Sequence, residues 1–171
     1  MSAPIFGVVG WKNSGKTTLM ARLVEEFARR GVKVAAVKHA HHEFDVDQPG
    51  RDSYKFREAG AREVAVVSSR RVAIMHELRG EDEPGLMEIV GRLKGSDLIL
   101  VEGFKRDGHP KIEVRRTGAV QSDPLAGNVP SVVAIAADHP TEAAGLPVFA
   151  LDDAAAIADF ILQFLKLKAS D

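Results

Sequence analysis

Cysteine is missing from all 171 residues. Its absence excludes a disulfide framework, removes thiolate chemistry as nucleophile or metal ligand, and fits a reducing compartment such as the cytoplasm. Charge of one sign is missing too, since 23 Lys and Arg face 24 Asp and Glu. No overall basic excess draws the chain to nucleic acid or to an anionic membrane, so any anion binding has to be local. No apolar run approaches the roughly 20 residues of a membrane-spanning helix, and no basic-then-apolar leader precedes the first strand-like run. A soluble protein is expected. With 45% hydrophobic residues, the chain is long enough for one well-buried core and short for two ordinary domains, so residues 1–171 read as a single domain.

The chain alternates strand-like and helix-like runs. Pro4 to Gly10 reads as a buried strand, and Leu19, Met20, Leu23, Val24, Phe27 and Ala28 then fall on one helical face, with Gly31 as the stop. Val32 to Val37 is a second apolar run, which makes the first 38 residues a β-α-β unit and predicts a parallel sheet. A short helix capped by Asp52 or Ser53 ends near Gly60, and the runs Glu63 to Ser68 and Val72 to Leu78 flank Ser69-Arg70-Arg71 as a hairpin. Pro84 suits the first turn of a helix carrying Leu86, Met87, Ile89, Val90 and Leu93. Asp97 to Val101, Ser131 to Ala136 and Val148 to Leu151 read as core strands, and Lys111 to Arg115 as an exposed or edge strand. Gly118 to Pro130 reads as a flexible loop, and Ala154, Ile157, Ala158, Ile161, Leu162 and Leu165 form the stripe of a last helix. The expected fold class is three-layer α/β with a mostly parallel sheet and an added β-hairpin.

Gly10-Trp11-Lys12-Asn13-Ser14-Gly15-Lys16-Thr17 fits G-x-x-x-x-G-K-[ST] between a predicted strand and a predicted helix. That setting identifies a phosphate cradle rather than an ordinary glycine-rich turn. Its backbone N–H groups, including those at Gly10, Asn13, Ser14 and Gly15, are expected to face phosphate oxygens at the positive end of a helix. Lys16 neutralises β- and γ-phosphate charge, Thr17 offers a hydroxyl to Mg²⁺, and Thr18 reaches the α-phosphate. Leu98 to Val101 followed by Glu102-Gly103 resembles a Walker B segment, which puts Glu102 at the carboxyl edge of the sheet beside Mg²⁺ and the γ-phosphate. A strand-end carboxylate facing solvent is the plainer alternative.

The run Lys38-His39-Ala40-His41-His42-Glu43-Phe44-Asp45-Val46-Asp47, continuing to Ser53, is the most unusual segment. Imidazoles and carboxylates together suit a transition metal, and equally a solvated turn. A nucleotide-responsive loop is the preferred reading, with Asp45, Asp47 or Asp52 meeting the water shell of Mg²⁺.

Taken together, Gly-x-x-x-x-Gly-Lys-Thr-Thr, Lys-His-Ala-His-His-x-Phe-Asp-x-Asp-x-Pro-Gly-x-Asp-Ser, Ala-Gly-Ala and Val-Glu-Gly-Phe-Lys closely resemble the molybdopterin-guanine dinucleotide biosynthesis protein MobB family. The match runs in order from Gly10 to about Lys111, and its second segment is far more specific than the first. The resemblance implies a P-loop NTPase fold and a weakly hydrolysing, Mg²⁺-dependent GTP-binding adapter. Its implied partner is MobA, the guanylyltransferase that joins GMP to molybdopterin in molybdenum cofactor biosynthesis. It also implies a homodimer, to which the Val64 to Leu78 hairpin contributes an intersubunit sheet.

A P-loop leaves the base unread. Asp138 ends a predicted strand where many GTPases carry Asn-Lys-x-Asp, and its carboxylate is able to accept both guanine N1–H and N2–H. The Asn and Lys are absent, and a helix cap suits the position as well. A metal-delivery GTPase is the alternative function, motivated by the histidine-rich loop and weakened by the missing cysteine.

Overall fold

The computed structural model describes residues 3–40, 44–119 and 123–167, so His41, His42 and Glu43 lie outside the described residues. In chain order the elements are β1 (Ile5–Gly10), α1 (Lys16–Arg29), β2 (Val34–Lys38), α2 (Asp52–Glu58), β3 (Glu63–Val67), β4 (Val72–His76), α3 (Leu86–Arg92), β5 (Leu98–Glu102), β6 (Lys111–Arg115), β7 (Val132–Ala137), β8 (Val148–Ala150) and α4 (Ala154–Leu165). They divide into two compact units, Met1–His39 with Leu86–Asp171, and Ala40–Gly85.

The first unit is built on one six-stranded sheet, ordered β2-β5-β1-β6-β7-β8, in which every neighbouring pair is parallel. Alternate residues of a strand point to opposite faces, and both faces are apolar here. Phe6, Val8, Leu98 and Leu100 pack against Leu19, Leu23 and Phe27 of α1 and Ile157 and Ile161 of α4. On the other face Val37, Ile99 and Val101 meet Leu86 and Val90 of α3, while Val9 and Ile135 meet Leu125 and Ala126. Burying each such Leu, Ile or Phe contributes roughly 1.5–3 kcal/mol. The result is the three-layer α/β architecture of a P-loop NTPase. No helix among the described residues is long and apolar enough to cross a membrane.

Four expectations change, the first at Val148–Ala150, which is the edge strand β8 with Val148 and Ala150 exposed rather than a core strand. The segment Lys111–Arg115 is an interior strand between β1 and β7, with Lys111, Ile112, Glu113 and Val114 all buried. Its charged positions mimic an edge pattern, but each charge finds a local partner. Lys111 Nζ donates to Asp107 O and to Ser131 Oγ at 2.8 Å, and the Glu113 carboxylate accepts from the amides of Leu125 at 2.9 Å and Ala126 at 2.8 Å. Helix α3 begins at Leu86, two residues beyond Pro84. The N-cap of α2 is Arg51 rather than Asp52 or Ser53, because the Ser53 hydroxyl donates instead to Asp47 Oδ1 at 2.9 Å.

The second unit contains α2 and the antiparallel hairpin β3-β4, registered from Glu63↔His76 to Val67↔Val72. Its turn is closed by Ser68 N donating to Arg71 O at 2.8 Å. Arg57 ties the unit together, donating from Nε to Glu77 at 2.6 Å and from its NH1 group to Asp45 at 2.9 Å. Val66, Val67, Val72 and Ile74 of the hairpin are exposed.

Candidate functional site

Strand β1 runs into Gly10, and the chain curls through Trp11–Gly15 before α1 starts at Lys16. Gly10 is required by crowding, since a Cβ there would lie 2.6 Å from both Ser14 Oγ and Val114 O. Asn13 adopts φ 62° and Gly15, the N-cap of α1, φ 94° with no side-chain cap bond. The first amides of a helix have no intrahelical acceptor and carry its positive end. Ser14 Oγ is buried with no hydrogen-bond partner, and Lys16 Nζ donates to Trp11 O at 2.6 Å. A loop with uncapped amides, an orphaned hydroxyl and a lysine folded onto its own backbone fits a phosphate chain.

Glu102, the last residue of β5, is 8% exposed and stands beside this loop. The Thr17 hydroxyl donates to its carboxylate at 3.1 Å from each oxygen. Lys38, the register partner of Glu102 on β2, brings Nζ to 3.6 Å from Glu102 Oε1 and 3.5 Å from Thr17 Oγ1. A hydroxyl and a carboxylate sharing one cation are hard-oxygen chemistry of the kind Mg²⁺ selects. Burial pushes the Lys16 ammonium below its ordinary pKa; Glu102 opposes that shift, and the nearby ammonium groups of Lys105 and Lys38 add to it. Lys16, felt by the ammonium groups of Lys38 and Lys105 and by the single carboxylate of Glu102, sits in a local positive excess suited to a polyanion.

The chain leaves β5 through a tight turn. Gly103 has φ 96° and Phe104 φ 49°, so a residue with a side chain is held in the left-handed region, which costs on the order of 1 kcal/mol. His39 braces the turn. Its amide donates to Glu102 O at 2.9 Å, its ring stacks on Phe104 with centroids 4.5 Å apart, and a Cβ on Gly103 would meet His39 Cβ at 2.8 Å. The turn delivers Lys105 onto the Trp11 ring, with Nζ 4.0 Å from the centroid, while Trp11 Nε1 donates to Asp123 O at 2.7 Å.

Two clefts adjoin the loop. One, of about 380 Å³, is lined by Asn13 through Thr18 and Arg116. The other, of about 370 Å³, is bordered by Gly15, Thr18, Arg22, Arg116, Asp138 and Leu151. Asp138 Oδ1 accepts from His139 Nδ1 at 2.7 Å and from Thr117 N at 2.8 Å, and these bonds, His139 first, hold the carboxyl below its usual range. Its Oδ2 faces Arg116 Nε at 4.0 Å.

The structure thus gathers Gly10, Asn13, Ser14, Gly15, Lys16, Thr17, Thr18, Glu102 and Gly103 around one loop and sets Asp138 in the adjoining cleft. Asp52 belongs to the other unit, where it pairs with Lys55 at 3.2 Å; Asp45 and Asp47 likewise find Arg57 there. Sequence reasoning missed Lys38, Lys105 and Arg116 as site residues. Among the described residues no group of three His, Asp or Glu is placed to hold a metal ion.

Comparison with known proteins identifies the family and the fold. Residues 5–138 match the family model of molybdopterin guanine dinucleotide synthesis protein B, MobB. The chain is 38% identical over 167 residues to the molybdopterin-guanine dinucleotide biosynthesis adapter protein of Escherichia coli (strain K12), covering 95% of this chain and 94% of that one. It is 34% identical to the adapter protein of Haemophilus influenzae, over 95% of this chain and 89% of that protein. The crystal structure of Bacillus subtilis MobB superposes with a TM-score of 0.74 at 28% identity, over 98% of this chain and 99% of that one.

Proposed function

Because the chain belongs to the MobB family, we propose that it is a GTP-binding adapter with weak, Mg²⁺-dependent GTPase activity. In this reading it assists the guanylyltransferase MobA in attaching GMP to molybdopterin during molybdenum cofactor biosynthesis in the cytoplasm. The observation that carries the nucleotide reading is the pairing of Thr17 with Glu102 beside an uncapped helix start and the partnerless Ser14 hydroxyl. The amides from Asn13 to Thr18 hold the phosphates, Lys16 swings from Trp11 O to the β/γ-phosphates, and Thr17 and Glu102 are the residues that would hold Mg²⁺. Bound there, Mg²⁺ supplies charge neutralisation at the phosphates. Glu102 orients the attacking water. Asp138 accepts from the guanine edge in the adjoining cleft, where its carboxyl is kept ionised.

The exposed Val66, Val67, Val72 and Ile74 support a homodimer built through the hairpin. A single monomeric species in sedimentation at micromolar concentration would sink that part. The function as a whole is tested by reconstitution with MobA, molybdopterin, Mg²⁺ and GTP. Guanine dinucleotide yield is expected to rise when the protein is added, and to rise less when His41 and His42 are both replaced by Ala. No rise with wild type overturns the adapter role, and equal yields from wild type and variant assign the His39 to Ser53 loop to a solvated connection.

A further inference from the structure

We propose that Lys105 is a terminal-phosphate reader, a residue that distinguishes a nucleoside triphosphate from a diphosphate; this deepens the nucleotide reading above and rests on it. Lys105 stands over the first residue after Gly10, at the end of the loop where Lys16 Nζ rests on Trp11 O. The base-sized cleft with Asp138 opens at the opposite end, beside Gly15 and Thr18. A phosphate chain laid along the loop from that cleft therefore brings its last phosphate toward Trp11, Glu102 and Lys105. An ammonium on an aromatic face is held weakly, by about 0.5–2 kcal/mol, whereas a charge-assisted bond to a phosphate oxygen is stronger. The indole is a resting place from which the ammonium transfers once the terminal phosphate is present.

The backbone that carries Lys105 supports the same role. Gly103 and Phe104 are both left-handed and clamped by the His39 ring and by Gly103 N donating to Val8 O at 3.2 Å. A strained conformation persists only where its surroundings over-determine it, and such strain clusters at sites that need a fixed geometry. Here it fixes Lys105 relative to Glu102, three residues earlier. Burial also keeps the Lys105 ammonium below its ordinary pKa, with Glu113 opposing, so part of its hydration is already removed.

The test titrates wild type, Lys105→Ala and Lys105→Arg with GTP and GDP in Mg²⁺, following the emission of Trp11, the single tryptophan of the chain, and in parallel by calorimetry. Wild type is expected to prefer GTP. The alanine variant should lose about tenfold in GTP affinity, the scale of one charge-assisted bond, keep GDP affinity within about twofold, and melt as wild type does. The arginine variant should retain most of the preference. Emission should change with GTP and much less with GDP, a difference absent from the alanine variant. Equal losses for the two nucleotides, or an unchanged GTP affinity, overturn the assignment to Lys105 while leaving the nucleotide site intact. Wild type binding neither nucleotide overturns both.

Discussion

In the unit built on the six-stranded sheet, the strand charges Lys111 and Glu113 turn inward and are met by immediate neighbours, while the ring nitrogens of His109 are enclosed with no hydrogen-bond partner; in the Ala40–Gly85 unit Arg57 and His76 pair with acidic side chains nearer the surface. The two histidines His109 and His76 mark the contrast. His109 packs against Gly7, where a Cβ would meet its Nε2 at 2.6 Å, and neither ring nitrogen has a hydrogen-bond partner. Burial first, then Lys111, pushes its pKa down to about 4, against a smaller opposing effect of Asp107. His76 instead bonds Glu63 at 2.9 Å and Glu81 at 3.1 Å, and both bonds raise its pKa. A sheet buried on both faces thus excludes charge unless it is met on the spot, and a two-stranded hairpin with little interior relies on exposed pairs. Such pairs contribute little each.

The sharpest way to break this comparison is at the loop. Lys16→Ala should lower GTP affinity by about a hundredfold or more, because it removes the charge-assisted contacts of one lysine to two phosphates. Substitutions in β3 and β4 should leave that affinity within about twofold. Nucleotide titration decides both, and an unchanged Lys16→Ala affinity defeats the cradle.

A second effect separates the units by pH. The folded pKa of His109 is depressed, so the unfolded chain binds the extra proton between about pH 6.5 and 4, and the stability contribution present above that window is lost as pH falls through it. Acidification from pH 7 to 5 should cost on the order of 1 kcal/mol from this residue, since solvent around a half-buried ring screens part of the shift. Urea unfolding at the two values, for wild type and His109→Gln, measures it. The same loss in the variant would remove His109 as the cause.

A comparable effect concerns the base. Asp138→Asn should reduce the preference for GTP over ATP about tenfold, since an amide does not accept both guanine donors. Equal affinities of wild type for GTP and ATP contradict the assignment. The smallest effect lies in the hairpin. The raised pKa of His76 means that its ion pairs are fully present below its ordinary value near 6.5 and are lost as pH rises through the folded one. Hydrogen-exchange protection of β3 and β4 should fall slightly from pH 6 to 9 in wild type. A fall of the same size in His76→Gln would assign the change elsewhere.

What the sequence made legible follows the range of the interaction. The loop Gly10–Thr17 is a local pattern, and Glu102 closes an unbroken apolar strand, so both were readable and both arrive where expected. Strands were placed to within a residue or two because apolar runs report burial directly. Strand order was not readable, since the insertion of β5 between β1 and β2 depends on contacts made across the fold. Arg116 was lost for a related reason. Reading Lys111–Arg115 as an edge strand removed its end from the binding edge, although it lies between β1 and β7 and brings Arg116 to both clefts. Lys38 and Lys105 stood in quoted segments, but nothing local shows that one reaches Thr17 and the other Trp11.

Strand β1 has a further meaning for how the protein is made. Its hydrogen-bonding partners are β5 and β6, so the strand that carries the phosphate loop has no mate among the residues synthesised near it. β2 also waits for β5. Before β5 and β6 have emerged from the ribosome, the short-range pairing of β3 with β4 can close, but the loop's own sheet cannot. Competence to hold a nucleotide therefore arrives late in synthesis, after Arg115 has emerged, and the hairpin is the first sheet of the chain to become available to another molecule.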